Sequence, residues 1–182
     1  MAKLIFGMTM SLDGYVEGPD GSTDGLYPDL AELRPTAYMN EMIAETGAVL
    51  MGRRSFEMAE DPDWYVGNYE FQCPIVVVTH APPATMPRQD DRLTFAFVDD
   101  VEAAVTRAKE AAGDRAVTAI GGADLGRQLL ALGLVDELRV DVMPVLLGGG
   151  KPLFDGVAPA RLTKLAVGEV GPRTTLRFGF AA

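Results

Sequence analysis

The chain predicts an α/β domain: a mixed, mainly parallel sheet flanked by helices and closed by an antiparallel C-terminal hairpin. Three observations carry that expectation. Strand-like and helix-like segments alternate through the first two thirds of the 182 residues, the pattern of consecutive βα units. The run Ile75-Val76-Val77-Val78 is continuously β-branched, as in a strand covered on both faces. Beyond Asp136 helical periodicity stops and only strand-like runs remain.

Each element has a local reason. Leu4 to Met10 is the first apolar run, broken by the turn-forming stretch Ser11 to Gly21. A helix is expected from Pro35 to Thr46, with Pro35 in its first turn, Tyr38, Met39, Met42 and Ile43 on one face, and Gly47 as its stop. Ala48 to Met51 reads as a short buried strand, and Gly52-Arg53-Arg54-Ser55 opens a short helix. Pro74 to Thr79 and Leu93 to Val98 are strands, and Asp99 or Asp100 caps a helix in which Val101, Ala104, Val105 and Ala108 recur before Gly113. A strand from Ala116 to Ile120 runs into Gly121-Gly122 and a helix striped by Leu125, Leu129 and Leu132, ended by Gly133. Asp136 to Met143 alternates, with Leu138, Val140 and Val142 on one face. Arg161 to Val170 and Arg173 to Phe180, joined at Gly171-Pro172, form the hairpin. Gly18 to Leu33 and Asp61 to Cys73 are irregular, and loops of that length in a small domain are usually functional or mobile.

Composition bounds the function. A hydrophobic content of 48% over residues 1–182, with no linker or repeat, fits one domain with one well-buried core. A formal charge of −10 argues against a nucleic-acid partner, which needs clustered Lys and Arg. No apolar run approaches a membrane span and the start runs directly into a strand, so no membrane partner and a cytoplasmic location are expected. Cys73 and His80 are each the sole residue of their type, which leaves no disulfide framework and no Cys/His zinc site, and excludes or strains Ser-His-Asp or Cys-His-Asn chemistry that needs more than these.

Three strand ends carry chemistry-capable residues: Gly52 to Ser55, Thr79-His80, and Gly121-Gly122-Ala123-Asp124-Leu125. Ligands of open α/β sheets lie beyond such ends, so the three converge on one dinucleotide. At Gly121-Gly122 a helix N-terminus offers free N–H groups, and glycine lets a phosphate approach the backbone. The spacing is not the G-x-G-x-x-G fingerprint and equally describes a tight strand-to-helix turn. Arg53 and Arg54 are suited to a 2′-phosphate, since guanidinium groups make charge-assisted bidentate bonds to phosphate. His80 is placed to stack on, or hydrogen-bond to, the adenosine part.

Five stretches in order carry a resemblance over essentially the whole chain: Ser11 to Gly14, Val49 to Glu57, Val77 to His80, Ile120 to Gly122, and Gly133 to Leu138 followed by Pro144 to Phe154. The chain resembles the dihydrofolate reductase-like fold shared with the reductase domain of riboflavin biosynthesis. That resemblance implies NADPH lying along the strand ends, and hydride transfer to a small heterocyclic or carbonyl- or imine-type substrate. It implies that the segment from Gly52 through Arg53 and Arg54 to Ser55 holds the 2′-phosphate and pyrophosphate, that Thr79 and His80 meet the adenosine, and that the helix at Gly121 and Gly122 cradles the pyrophosphate. The chain shows no His-x-Glu and Pro-Cys-x-x-Cys deaminase signature, so a reductase-like unit standing alone is expected. Ile120 stands where riboflavin reductases often place Glu, and Pro35 to Tyr38 lacks the carboxylate that dihydrofolate reductases carry on the first helix. Asp29, Glu32 and Glu41 are the nearby substitutes; without one of them, weak binding of folates and diaminopyrimidines follows.

In the reductase reading Asp13 polarises or protonates the substrate, Ser11, Tyr15, Tyr38 and Trp64 line its pocket, and the loop from Ser11 to Asp20 closes to exclude water. Asp13-Gly14 is also an ordinary turn pair. The alternative function is an NADP(H)-binding protein without efficient turnover, a sensor or partner subunit. A homodimer is expected, partly from the resemblance and partly from the apolar stretch Val140 to Phe154.

Overall fold

The computed structural model describes residues 2–181. Along the chain come β1 (Leu4–Ser11), β2 (Tyr15–Glu17), α1 (Leu30–Leu33), α2 (Ala37–Glu45), β3 (Thr46–Gly52), α3 (Arg53–Phe56), α4 (Tyr65–Asn68), β4 (Ile75–Val78), β5 (Phe95–Val98), α5 (Val101–Ala112), β6 (Ala116–Ile120), α6 (Ala123–Ala131), β7 (Glu137–Met143), β8 (Lys151–Pro152), β9 (Leu162–Val170) and β10 (Arg173–Phe180). Eight strands form one sheet in the order β5-β4-β3-β6-β1-β7-β10-β9. Pairing is parallel from β5 to β7, and β10 runs antiparallel to both β7 and β9. The mainly parallel sheet with its terminal hairpin is thus as the sequence predicts. A separate ribbon of β2 and β8 was not foreseen; two- and three-residue strands leave no periodicity to read.

The inner strands are buried as their β-branched runs require, Val49, Leu50, Ile75 and Val77 being fully enclosed. Asp100 caps α5 by accepting from the Ala103 amide at 2.7 Å, and Ala104, Val105 and Ala108 bury its inner face. On α6, Leu125 and Leu129 point inward while Leu132 is exposed, so the apolar stripe is one residue shorter than expected. Gly126 lies against Phe6, whose ring a Cβ would reach at 1.9 Å. Burial pushes the Cys73 thiol up to about 11, which leaves it an inert core residue.

Two expectations at α2 need correction. Thr36, rather than Pro35, opens the helix, its hydroxyl accepting from the Met39 amide. Gly47 is not the helix stop: α2 passes directly into β3, and Gly47 is there because a Cβ would come within 2.4 Å of the Ala112 carbonyl oxygen. The two long irregular segments are likewise partly ordered. In the first, Asp29 makes a two-pronged ion pair with the fully buried Arg173 at 2.8 and 2.9 Å. In the second, the Tyr65 hydroxyl donates to the Phe56 carbonyl at 3.0 Å and the two rings stack. Among the described residues no helix is long and apolar enough to cross a membrane.

Candidate functional site

A cleft of about 1480 Å³ opens beside the carboxyl ends of the central strands. Gly52, Arg53, Arg54 and Ser55 line its outer end together with Gly121, Gly122, Ala123, Asp124 and Leu125. The two glycines have φ of +79° and +84°, and a Cβ on Gly121 would lie 2.3 Å from the Ser55 hydroxyl oxygen. Only glycine makes this turn, and it leaves the first amides of the nine-residue α6 open to the cleft. This outer end fits the pyrophosphate of a dinucleotide.

The cations around it are already partnered. Arg54 donates to Glu17 of β2 at 3.0 Å, and Arg53 lies 3.7 Å from Glu57. Asp124 binds both Arg127 and Lys151, and Lys151 also lies 3.9 Å from Glu17. The hydrogen bond from Lys151, followed by that from Arg127, holds the Asp124 carboxyl below its usual range. An arriving phosphate would exchange carboxylates for its own oxygens at Arg53 and Arg54, both largely exposed and therefore cheap to release.

Of the remaining predicted residues, Tyr38 and Trp64 line the cleft, and five others do not. Asp13 is exposed, and its carboxylate accepts from the Leu147 and Gly148 amides at 3.1 and 2.8 Å. The Ser11 hydroxyl and those amides hold its pKa below the ordinary carboxylate value. Asp13 therefore clasps the turn after β1 to the segment before β8, and it does not face the cleft. Ser11 is fully buried and accepts from the Tyr15 amide at 2.9 Å, which fixes that same turn. Tyr15 is engaged in the ribbon opposite Pro152. On β4 the last residue to reach the cleft is Val78. Thr79 is buried and accepts from the Ala81 amide at 3.0 Å, turning the chain aside, so the exposed His80 stands outside the cleft.

At the inner end are residues that the sequence reading did not single out: Thr9, Tyr27, Arg139 and Asp141. Asp141 sits on β7 between Thr9 of β1 and Thr175 of β10. The Tyr38 hydroxyl donates to both Asp141 carboxyl oxygens at 2.9 Å. Burial pushes the Asp141 pKa up, against the pull of Tyr38, Arg173, Arg177 and Arg139. Burial, and then the Asp141 charge, raise the Tyr38 phenol as well. The inner end of the cleft thus carries a carboxyl on a strand, not on the first helix. Asp29 is held by Arg173, while Glu32 and Glu41 are exposed and off the cleft. The signal was present: if Leu138, Val140 and Val142 face one way, alternation puts Glu137, Arg139 and Asp141 on the other face of a central strand.

The geometry matches a known class. Residues 2–176 match the model of the RibD C-terminal domain, and the chain belongs to that family. The uncharacterized protein YyaP of Bacillus subtilis strain 168 is 29% identical over 164 residues, covering 84% of this chain and 80% of YyaP. A Shewanella sp. PV-4 protein assigned to riboflavin biosynthesis has the same fold, with a TM-score of 0.77 at 21% identity over 100% of both chains. So has the riboflavin biosynthesis reductase Rib7 of Saccharomyces cerevisiae, with a TM-score of 0.63 at 15% identity over 100% of this chain and 89% of Rib7. The fold is the dihydrofolate reductase-like one that the sequence motifs implied.

Proposed function

We propose that the protein is an NADPH-dependent reductase that transfers hydride to a small heterocyclic or carbonyl- or imine-type substrate in the cytoplasm. The observation that carries this reading is one continuous cleft with a glycine cradle at one end and a half-buried carboxyl–phenol pair at the other. Its volume of about 1480 Å³ exceeds the roughly 300–1,000 Å³ of a small-ligand pocket, which leaves room for a dinucleotide and a substrate together. NADPH, when bound, supplies the hydride. The chain's own part is to hold the pyrophosphate on the α6 amides, to take the 2′-phosphate on Arg53 and Arg54, and to exclude water with Met39, Met42 and Trp64.

Isothermal titration with NADPH and NADH tests the cofactor assignment. Arg53→Ala and Arg54→Ala should each weaken NADPH binding about tenfold to a hundredfold, on the order of 1.5–3 kcal/mol for a charge-assisted contact, and leave NADH unchanged. Equal affinity for both dinucleotides, insensitive to either substitution, would remove the assignment. NADPH oxidation with a panel of pterins, quinones and imines separates a reductase from a binding protein without turnover.

We also propose a homodimer, on a different surface from the one the sequence suggested. Val140, Met143 and Leu153 of the apolar C-terminal stretch are consumed by the core, while Leu146 and Phe154 of it stay exposed but apart from a continuous strand face. Leu162, Leu165 and Val167 of the edge strand β9, with Phe180 of β10, are exposed, and a second copy covering them would remove apolar surface from water. A monomer mass by light scattering at micromolar concentration would sink this.

A further inference from the structure

We propose that Glu17 and Lys151 of the β2–β8 ribbon are positioning residues for the outer end of the cleft: Glu17 withholds Arg54 from a phosphate, and Lys151 lowers the cost of letting it go. The proposal deepens the reductase reading and rests on it for the identity of the anion as the phosphates of a dinucleotide. Six charged side chains alternate in sign across this end, from α3 through the ribbon to α6 and the segment after β8. Arg54 Nη2 lies 3.0 Å from Glu17, and Lys151 lies 3.9 Å from Glu17 while hydrogen-bonding to Asp124. Asp124 also holds Arg127, which in turn lies 3.9 Å from Asp155. The series ties together the two helix starts, at Arg53 and Ala123, between which a pyrophosphate would lie.

The middle of the series is fixed and its two ends are loose. Glu17 and Lys151 are cross-strand neighbours in the ribbon. Gly150 beside them has a φ of +119°, and a Cβ there would lie 2.0 Å from the Glu17 carbonyl oxygen, so the two strands press backbone on backbone and only glycine fits. The side chains of Glu17 and Lys151 are accordingly mostly enclosed, whereas Arg54 is 66% and Asp155 75% exposed. A phosphate that engages Arg54 therefore draws the flexible guanidinium away and leaves Glu17 in place. Lys151, already close, shifts from Asp124 onto Glu17, and Arg127 shifts from Asp155 onto Asp124. The unpaired carboxylate ends up at Asp155, where water satisfies it at little cost. Without Lys151 the same exchange would strand a poorly solvated carboxylate beside an incoming phosphate, adding a lost partner to a like-charge contact.

The test is calorimetric titration of the full chain, of Glu17→Gln, of Lys151→Met and of the double variant, with NADPH and separately with inorganic pyrophosphate, at one pH and one salt concentration. Glu17→Gln should bind both probes about threefold to tenfold more tightly, because Arg54 is released and a like charge is removed. A residue that merely supported the fold would not tighten binding when lost. Lys151→Met should weaken binding about threefold to tenfold in the wild-type background, yet change it by less than about twofold in the Glu17→Gln background, since its role runs through Glu17. The proposal is overturned if Glu17→Gln binds within about twofold of the wild type or more weakly, or if losing Lys151 costs the same in both backgrounds, which would make it a direct phosphate ligand. The second probe keeps the two readings apart. NADPH binding that ignores Glu17→Gln sinks the positioning role alone. Pyrophosphate binding that responds as expected, with NADPH not bound, sinks the reductase reading alone, and binding of neither probe to any of the four chains overturns both.

Discussion

Glu137 and Asp141 lie on one face of one strand, four positions apart, yet the molecule treats them in opposite ways. Glu137 is buried among cations: Arg139 at 2.6 Å and Lys3 at 2.9 Å. Burial works against its ionisation, but the hydrogen bonds from Arg139 and Lys3 outweigh it and hold its carboxyl below the usual range. Asp141 is half-buried with a phenol as its partner, and there burial wins and raises the pKa. A carboxylate whose lone pairs are filled from within the chain joins elements together. One left short of donors at the wall of a cleft costs stability and is available to a ligand.

The sharpest way to break this contrast is at Arg139, whose side chain is only 6% exposed. Arg139→Met would leave Glu137 and Glu45 with Lys3 alone, and removing one partner of a buried ionic network typically costs about 3–5 kcal/mol. Urea unfolding near neutral pH should show that loss. Because Glu45 and Glu137 have folded-state pKa values below their ordinary 4.5, their contribution is present above that value and fades as the pH falls through the folded values. The deficit of the variant should therefore narrow in acid. A cost below about 1 kcal/mol would mean that the network is solvated and that Glu137 is no more structural than Asp141.

The next effect has the opposite sign. Asp141→Asn keeps an acceptor for Tyr38 and removes the disfavoured charge, so the variant should be more stable at neutral pH by about 0.5–2 kcal/mol, the usual yield of relieving a functional cost. The folded state of the wild type holds the Asp141 proton more tightly than the unfolded chain does. Its favourable contribution is full below 3.8 and is lost as the pH rises from there through the raised folded value. The advantage of Asp141→Asn should accordingly emerge above that pH and vanish below it. Thermal melts across the acid range measure this, and a variant less stable than wild type at neutral pH would make Asp141 a structural residue.

What the sequence disclosed follows how each end of the cleft is built. The outer end is made by two short contiguous segments, Gly52 to Ser55 and Ala116 to Leu125, each a strand end running into a helix start, so its geometry was legible in the order of residue types. Long strands and α5 were legible for the same reason, since local periodicity and an Asp100 cap decide them. The inner end is assembled from β1, α2 and β7, and Tyr38 and Asp141 are 103 positions apart. Tyr38 showed as a pocket residue, but only the strand order revealed that β7 is enclosed by β1 and β10 and that its polar face is buried. Asp13 erred the other way: Asp-Gly after a strand suits an acid at a loop, and nothing local told that Leu147 and Gly148 would claim the carboxylate.

The smallest effect tests whether the difference between Glu137 and Asp141 lies in burial or simply in the number of cations nearby. Lys3 bridges Glu45 at 2.8 Å and Glu137 at 2.9 Å, so by count it matches Arg139. Its side chain is 43% exposed, however, and water and salt screen what it contributes. Lys3→Met should therefore cost only about 0.2–1 kcal/mol, against the several expected at Arg139. Burial lowers the Lys3 pKa and the two glutamates raise it more, so its contribution is full below 10.5 and is lost only as the pH climbs through the folded value. The difference between wild type and Lys3→Met should hold steady from neutral to mildly alkaline pH and shrink in about 1 M salt, where the screening length falls to roughly 3 Å. Urea unfolding at low and high salt measures both features. A salt-independent cost equal to that of Arg139→Met would show that counting cations, not burying them, separates the Glu137 end of β7 from its cleft-lining Asp141 end.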